Sequence, residues 1–443
     1  MSENKCHPVD EMLPTGQLFA YGLQHVLAMY AGAVAVPLII ANALGFSTEQ
    51  LIYLINADLF TCGIATLIQT LGLGNMGIRI PLVQGVTFAS VTPMIIIGQT
   101  HGVTAIYGSI IVAGAVTYLI APYFSRLIRF FPPVVTGSII TIIGISLMPV
   151  AVRWAGGGNP AAKDFASMQY IGLAFLVLML VIFFYRCFTG FLSNIAVLLG
   201  LVIGTIIAVP LGLVSFTNVS AAAWVGITTP FWFGYPTFDA ASIAAMVLVM
   251  LVVMMETTGD CIAIGEIVDK PITQDGLARC LRADGFSTLL GGILNSFPYT
   301  AFGQNVGLLG LTRVKSRFVV AAAGVILIVL GMVPKLAAVI ANIPAPVLGG
   351  AGIAMFGMVA ANGIKTLGKV EFKGSNNIMV VGISIGIGMI TLAVPNFYQH
   401  FPNWLQVIFN SGITAGSLTA IFLNLLLNGN QKDGAATQDG KAS

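Results

Sequence analysis

F-P-Y-T-A-F-G-Q-N-V-G-L-L-G-L-T-R, Phe297 to Arg313, carries a proline, three glycines and the adjacent amides Gln304 and Asn305. A lipid-facing helix has no use for that mixture, yet the chain around it is apolar. Non-helical backbone is tolerated at membrane depth only where it is buried in protein or lines a cavity. In transporters a broken apolar segment of this kind points to the substrate site. Gln304 and Asn305 therefore read as groups touching a polar, uncharged or weakly charged ligand. A second reading is a glycine-rich packing surface, its amides bonded to neighbouring helices.

The surrounding chain has 443 residues, 57% hydrophobic and 8% charged. Soluble domains carry roughly 25% charged residues, so this is a polytopic membrane protein. Its five cysteines (Cys6, Cys62, Cys187, Cys261, Cys280) are scattered, without a C-x-x-C pair. They imply neither a disulfide framework nor a metal site. The first fourteen residues are polar, with no basic n-region, so no cleaved signal peptide is expected. No nucleophile with its base and no metal-ligand spacing is present, which argues against an enzyme.

A span needs about 20 apolar residues, fewer where it is broken. Fourteen segments emerge, near 16–42, 49–73, 80–98, 102–123, 133–153, 168–185, 189–214, 240–267, 277–295, 298–312, 316–334, 345–363, 375–395 and 403–428. The third, I-P-L-V-Q-G-V-T-F-A-S-V-T-P from Ile80 to Pro93, starts like a short strand and continues like a half helix. With both termini inside, 16 of the 19 basic residues fall on the inner side and only Arg153, Lys163 and Lys335 on the outer. That asymmetry follows the positive-inside rule. Lys5, Arg126, Arg129, Lys373, Lys432 and Lys441 are among the inner sixteen. Pro133-Val-Val-Thr-Gly137 with Gly144 matches Pro346-Val-Leu-Gly-Gly350 with Gly357, an offset of 213 residues. The broken segments recur similarly, Gln84 against Gln304. Seven spans per half would invert the second half, an arrangement used by transporters.

Ionisable groups inside a span cost about 2.5–3.5 kcal/mol on insertion scales and mark function by default. Glu256 and Asp260, in M-M-E-T-T-G-D-C, lie four apart on one helix face. Two carboxylates on one buried face repel, which suits the pair to holding and releasing a proton. Asp284, in L-R-A-D-G-F, is either a third proton-linked group or a partner for backbone amides of a broken helix. Asp58 reads as shallower, solvated or bonded to its own helix. His25 is the one histidine within a span, either a packing group or the partner of a carboxylate. Phe88, beside the strand-to-helix break after Thr87, could stack on a flat ligand.

Gln304 to Arg313, Q-N-V-G-L-L-G-L-T-R, resembles the N-x-G-x-x-x-x-T-[R/K] motif of the nucleobase–ascorbate transporters, or nucleobase–cation symporters. Gln24-His25, Glu256 with Gly259 and Asp260, and Ala283-Asp284-Gly285 join it. The resemblance runs from about residue 15 to 427 and is closest to the bacterial xanthine and uric acid permease branch. It implies an all-α fold of seven plus seven inverted spans, with short strands in segments three and ten. A core domain would comprise 15–125 (segments one to four) and 240–334 (eight to eleven). A gate domain would comprise 126–239 (five to seven) and 335–428 (twelve to fourteen), with cytoplasmic tails 1–14 and 429–443. It further implies proton symport of a purine base, uric acid and/or xanthine, and a homodimer in the cytoplasmic membrane. Its partners would be that base, a proton and lipid, with no nucleic acid, cofactor or metal.

The resemblance assigns substrate binding to Glu256, Gln304, Phe88, Thr87 and Asn305, and proton coupling and gating to Asp260, Asp284 and His25. Asp260 stands where the uracil branch has histidine. Threonine at 87, where xanthine-selective members often have asparagine, resembles the uric acid type. The chemistry agrees: a carboxylate accepts from two ring N–H groups, and an amide matches an N–H beside a C=O. The alternatives are a uracil carrier, disfavoured by Gln304 where that branch has glutamate, an anion carrier, disfavoured by the buried carboxylates, and a channel, for which no pore ring is evident.

Overall fold

The structure, a computed structural model, describes residues 7–124, 131–214, 217–372 and 375–428. Lys5, Cys6, Arg126, Arg129, Lys373, Lys432 and Lys441 lie outside those residues, as do the 125/126 boundary, residues 1–6 of the leading tail and the tail 429–443. Among the described residues, fourteen helices reach ten residues or more. They are α1 (Thr15–Leu44), α2 (Thr48–Leu71), α3 (Val91–His101), α4 (Val103–Ile120), α5 (Pro133–Ala155), α6 (Met168–Cys187) and α7 (Ala196–Ala208). Then follow α8 (Ala240–Ile267), α9 (Gln274–Ile293), α10 (Gly303–Thr312), α11 (Arg317–Gly331), α12 (Ala345–Leu367), α13 (Asn376–Ala393) and α14 (Gly412–Asn428). Eight are long and apolar enough to cross a membrane by themselves. Two strands complete the fold, β1 (Gln84–Val86) before α3 and β2 (Tyr299–Ala301) before α10.

Local chemistry sets the helix ends. Gly45, at φ 67°, stops α1 in the left-handed conformation that costs glycine little. Ser47 and Gln50 form a reciprocal capping box at the start of α2. Thr273 caps α9 by accepting from Gly276 N, and Asp239 caps α8 by accepting from Ser242 N.

Two expected spans are divided, and a third ends at a sharp bend. The segment near 403–428 splits into a short helix, Asn403–Phe409, and α14, because Ser411 turns back to cap Thr414 N at 3.2 Å. The segment near 189–214 opens with the short helix Phe191–Asn194. After α11 the chain bends by 80° into Pro334–Ala341, where proline cannot continue the hydrogen-bond ladder. Apolarity alone does not register these breaks.

The helix pairings recur in twos. α2 packs on α11 as α9 packs on α4, and α1 lies against α11 as α8 lies against α4. Likewise α6 meets α12 as α13 meets α5, α6 meets α7 as α13 meets α14, and α5 crosses α12. Each pairing maps to the other when every helix is replaced by the one seven places away.

Two of these crossings depend on glycine. A Cβ on Gly285 of α9 would sit 2.5 Å from Tyr118 N, and one on Gly114 of α4 would sit 2.4 Å from Leu289 N. In the matching pair a Cβ on Gly63 of α2 would meet Gly324 O of α11 at 2.4 Å. Small residues let membrane helices approach backbone to backbone, which explains the glycine of the Ala283-Asp284-Gly285 stretch. Gly285→Val should destabilise the purified protein by about 1–3 kcal/mol through overpacking, read as a lower melting temperature. Gly172→Ala on the exposed face of α6, where nothing lies within 4 Å, should stay within about 1 kcal/mol of wild type.

Candidate functional site

The two strands pair antiparallel, with Gln84 opposite Ala301, Gly85 opposite Thr300 and Val86 opposite Tyr299. All six residues are buried. Interior backbone must find partners, and helix side chains supply those the ladder does not. Thr66 Oγ1 of α2 accepts from Gln84 N at 3.1 Å and donates to Gln84 O at 3.3 Å. Thr257 Oγ1 of α8 accepts from Ala301 N at 3.2 Å and lies 3.2 Å from Thr300 Oγ1. Thr288 Oγ1 of α9 accepts from Tyr299 N at 3.1 Å. Phe302 N donates to Val83 O, and Thr87 N to Pro298 O, both at 3.0 Å.

Beyond each strand a half helix begins. On the first side Thr87 Oγ1 accepts from Ala89 N at 3.2 Å, and a single turn, Phe88–Ser90, leads into α3. On the second side α10 starts at Gly303 with no side chain bonded to its first amides. That leaves the positive end of its dipole open to anions. Asp260 of α8 occupies this end: its carboxylate oxygens lie 3.6 and 3.7 Å from where a Cβ on Gly303 would be. Glu256, one turn earlier on α8, is half-buried, and Gln304 is exposed, while the strands beside them are buried. Gln304 Nε2 approaches α1, at 3.9 Å from a Cβ on Gly32. α10 is packed against both α1 and α8, the helix that carries Glu256.

Asp284 of α9 is wholly buried behind the strands. Its Oδ1 accepts from Gln84 Nε2 at 2.8 Å and from Gln69 Nε2 at 3.3 Å. Among the described residues the three salt bridges are His101–Asp239, Lys315–Asp269 and Arg317–Asp10, and none includes Glu256, Asp260 or Asp284. Beside Asp284 the buried thiols of Cys261 (α8) and Cys280 (α9) are neighbours, with Gln69 Nε2 3.2 Å from Cys280 Sγ.

The profile of a permease family matches residues 16–397. The chain belongs to that family, the nucleobase–ascorbate transporters. This permease is similar to the xanthine permease of Bacillus subtilis, 47% identical over 93% of this chain and 94% of the relative. It is also similar to the uric acid transporter UacT of Escherichia coli, 46% identical over 96% of this chain and 88% of the relative. Among solved structures it resembles the transmembrane domain of a cyanobacterial bicarbonate transporter, BicA. The TM-score is 0.60 at 14% identity, over 93% of this chain and 100% of that one. At that identity the likeness is one of fold. The permease is thus a multi-pass membrane protein.

Within this permease the adjacent amides face different ways, because consecutive helix residues point about 100° apart. Gln304 is accessible, whereas Asn305 is 3% exposed and turned to α1. Asn305 Nδ2 donates to His25 O at 2.9 Å and lies 3.1 Å from His25 Nδ1. His25 therefore pairs with an amide rather than a carboxylate. Thr87 is buried, its oxygen already an acceptor, which leaves its hydroxyl hydrogen to donate. Phe88 is half-buried and meets Phe356 of α12 edge-on, centroids 5.8 Å apart.

Residues that sequence reasoning passed over include Thr66, Gln69, Thr257 and Thr288. Threonines are common in membrane helices, so only Gln69, a full amide inside an apolar run, carried a readable signal. Asp58 is fully buried, not shallow: Ser296 and Tyr299, at the start of the second broken segment, close over it. Gln84→Leu would leave Asp284 without its shortest hydrogen bond. Purified protein should lose about 1–3 kcal/mol, the cost of a buried acceptor short of its donor, measured as a lower melting temperature.

Proposed function

We propose that this chain is a proton-coupled symporter that imports uric acid and/or xanthine across the cytoplasmic membrane. The observation that carries the proposal is its identity of 46–47% with permeases for those two bases, over more than nine-tenths of this chain. Glu256 accepts hydrogen bonds from ring N–H groups of the base, and Gln304 pairs an N–H with a neighbouring C=O. Phe88 lies against the ring, Thr87 donates to an edge, and Asn305 holds Gln304 in place by fixing α10 to α1 through His25. Asp260 and Asp284 share the proton linkage. A nucleotide would call for a cationic clamp on its phosphate, and the three carboxylates argue for a free base.

The doubled helix pairings support an inverted repeat of seven plus seven spans, with both termini cytoplasmic. In this reading α1–α4 and α8–α11 form a core that carries the base, and α5–α7 with α12–α14 form a gate. The core rocks past the gate to alternate access, and two copies pair as a homodimer. The contact of Phe88 with Phe356 lies on the boundary between core and gate.

Labelled urate or xanthine should accumulate in a permease-deficient strain expressing the protein, and a protonophore should collapse that uptake. Absence of uptake with protein present in the membrane would remove the proposal. Indifference to the protonophore would remove the coupling. Glu256→Gln should lower uptake at least about tenfold, since a charged acceptor to two donors is worth roughly 1.5–3 kcal/mol. Thr87→Asn should shift competition toward xanthine, measured as a changed ratio of inhibition constants against labelled urate.

A further inference from the structure

Asp58 is a buried carboxylate that the scheme above does not use. It is 1% exposed and lies on α2 within an apolar run. Its Oδ1 accepts from Tyr299 Oη at 2.9 Å and Ser296 Oγ at 3.3 Å, with Cys62 Sγ at 3.8 Å. Tyr299 is itself completely buried and is the first residue of β2. Its side chain is thus tied to α2 while its backbone N–H is tied to Thr288 of α9.

The arrangement has a counterpart. Asp284 accepts from Gln84, the first residue of β1. Asp58 and Asp284 are each the tenth residue after the start of their helices, α2 and α9. Both helices open with a hydroxyl cap, Ser47 and Thr273. α2 lies beside β1 and α9 beside β2, yet each carboxylate reaches the opposite strand: α2 holds β2, and α9 holds β1. A hydrocarbon side chain would fill either position without the cost of placing an acid inside a span. What an acid adds is an acceptor that takes two donors on one oxygen and fixes where the strand begins.

We propose that Asp58 is a positioning residue of the base-binding site, the counterpart of Asp284 across the strand pair, which sets the place of β2 through Tyr299 and so the place of Gln304 on α10. The proposal rests on the purine-base reading for its transport consequence, but the placement of β2 can be measured without substrate. Hydrogen exchange of the full-length protein in lipid nanodiscs reads the amides of 299–305 directly. In Asp58→Ala and in Tyr299→Phe these amides should exchange at least about tenfold faster than in wild type, since each loses the buried Tyr299–Asp58 hydrogen bond that restrains local opening. Asp58→Asn, which keeps an acceptor oxygen, should remain within about threefold. In uptake assays the two disruptive variants should raise the apparent KM about tenfold, with maximal rate per transporter at the membrane little changed. The double variant should fall short of the sum of the two single ones, because both remove the Tyr299–Asp58 contact. Wild-type exchange at 299–305 in Tyr299→Phe and Asp58→Ala would overturn the proposal. So would a KM that stays constant while only protein abundance falls, or additive effects in the double variant. Wild-type protein that took up neither base would defeat the transport reading, and the exchange experiment would still decide the role of Asp58.

Discussion

Backbone that leaves the helix inside a membrane has no water to bond with, and the centre of this protein is arranged around that constraint. Six residues in two strands supply one another, and Thr66, Thr257 and Thr288 supply the rest. The outcome is a rigid, buried bar from which two half helices start. α10 opens without a side-chain cap, and the Asp260 carboxylate lies beside that end. The candidate groups thus sit on regular elements, Gln304 near the start of α10 and Glu256 within α8, which holds them to a narrow range of positions.

The acidic groups divide by surroundings. Asp284 and Asp58 are tied by neutral donors inside the protein, where they fix backbone. Glu256 and Asp260 stand on the accessible side. A base with alternating donors and acceptors would meet Glu256 and Gln304 on that side. A site built of such pairs rejects analogues that leave a buried group unmatched. Arg317, at the start of α11, binds Asp10 at 2.6 Å and also Thr70 O at 2.9 Å.

Much of this was legible in the sequence. The proline and glycines of 297–313 marked the second break, and the alternation of 80–93 marked the first. Glu256 and Asp260 announced themselves as charges in an apolar run, the family motif covered Gln304 and Asn305, and the Ala283-Asp284-Gly285 match covered Asp284. What stayed hidden depends on contacts between distant segments. Nothing local says that Gln84 faces Ala301, that Asn305 turns to His25 while its neighbour stays open, or that Asp58 is enclosed by Tyr299 and Ser296. Asp58 looked shallow because depth was counted along one helix, whereas burial is decided by what packs over it. The splits in 189–214 and 403–428 were missed for a related reason: hydropathy measures how apolar a segment is, not where it bends.

The glycine crossings of α2 with α11 and α4 with α9 bear on how the chain is made. Each joins a helix from the first half to one synthesised more than a hundred residues later, and neither half closes its own interior. While the ribosome is still producing the second half, α2 and α4 present their close-packing faces to lipid or to the insertion machinery. Assembly has to wait for α9 and α11, so the interlocked halves mature together and a half-length product would lack the neighbours that complete it.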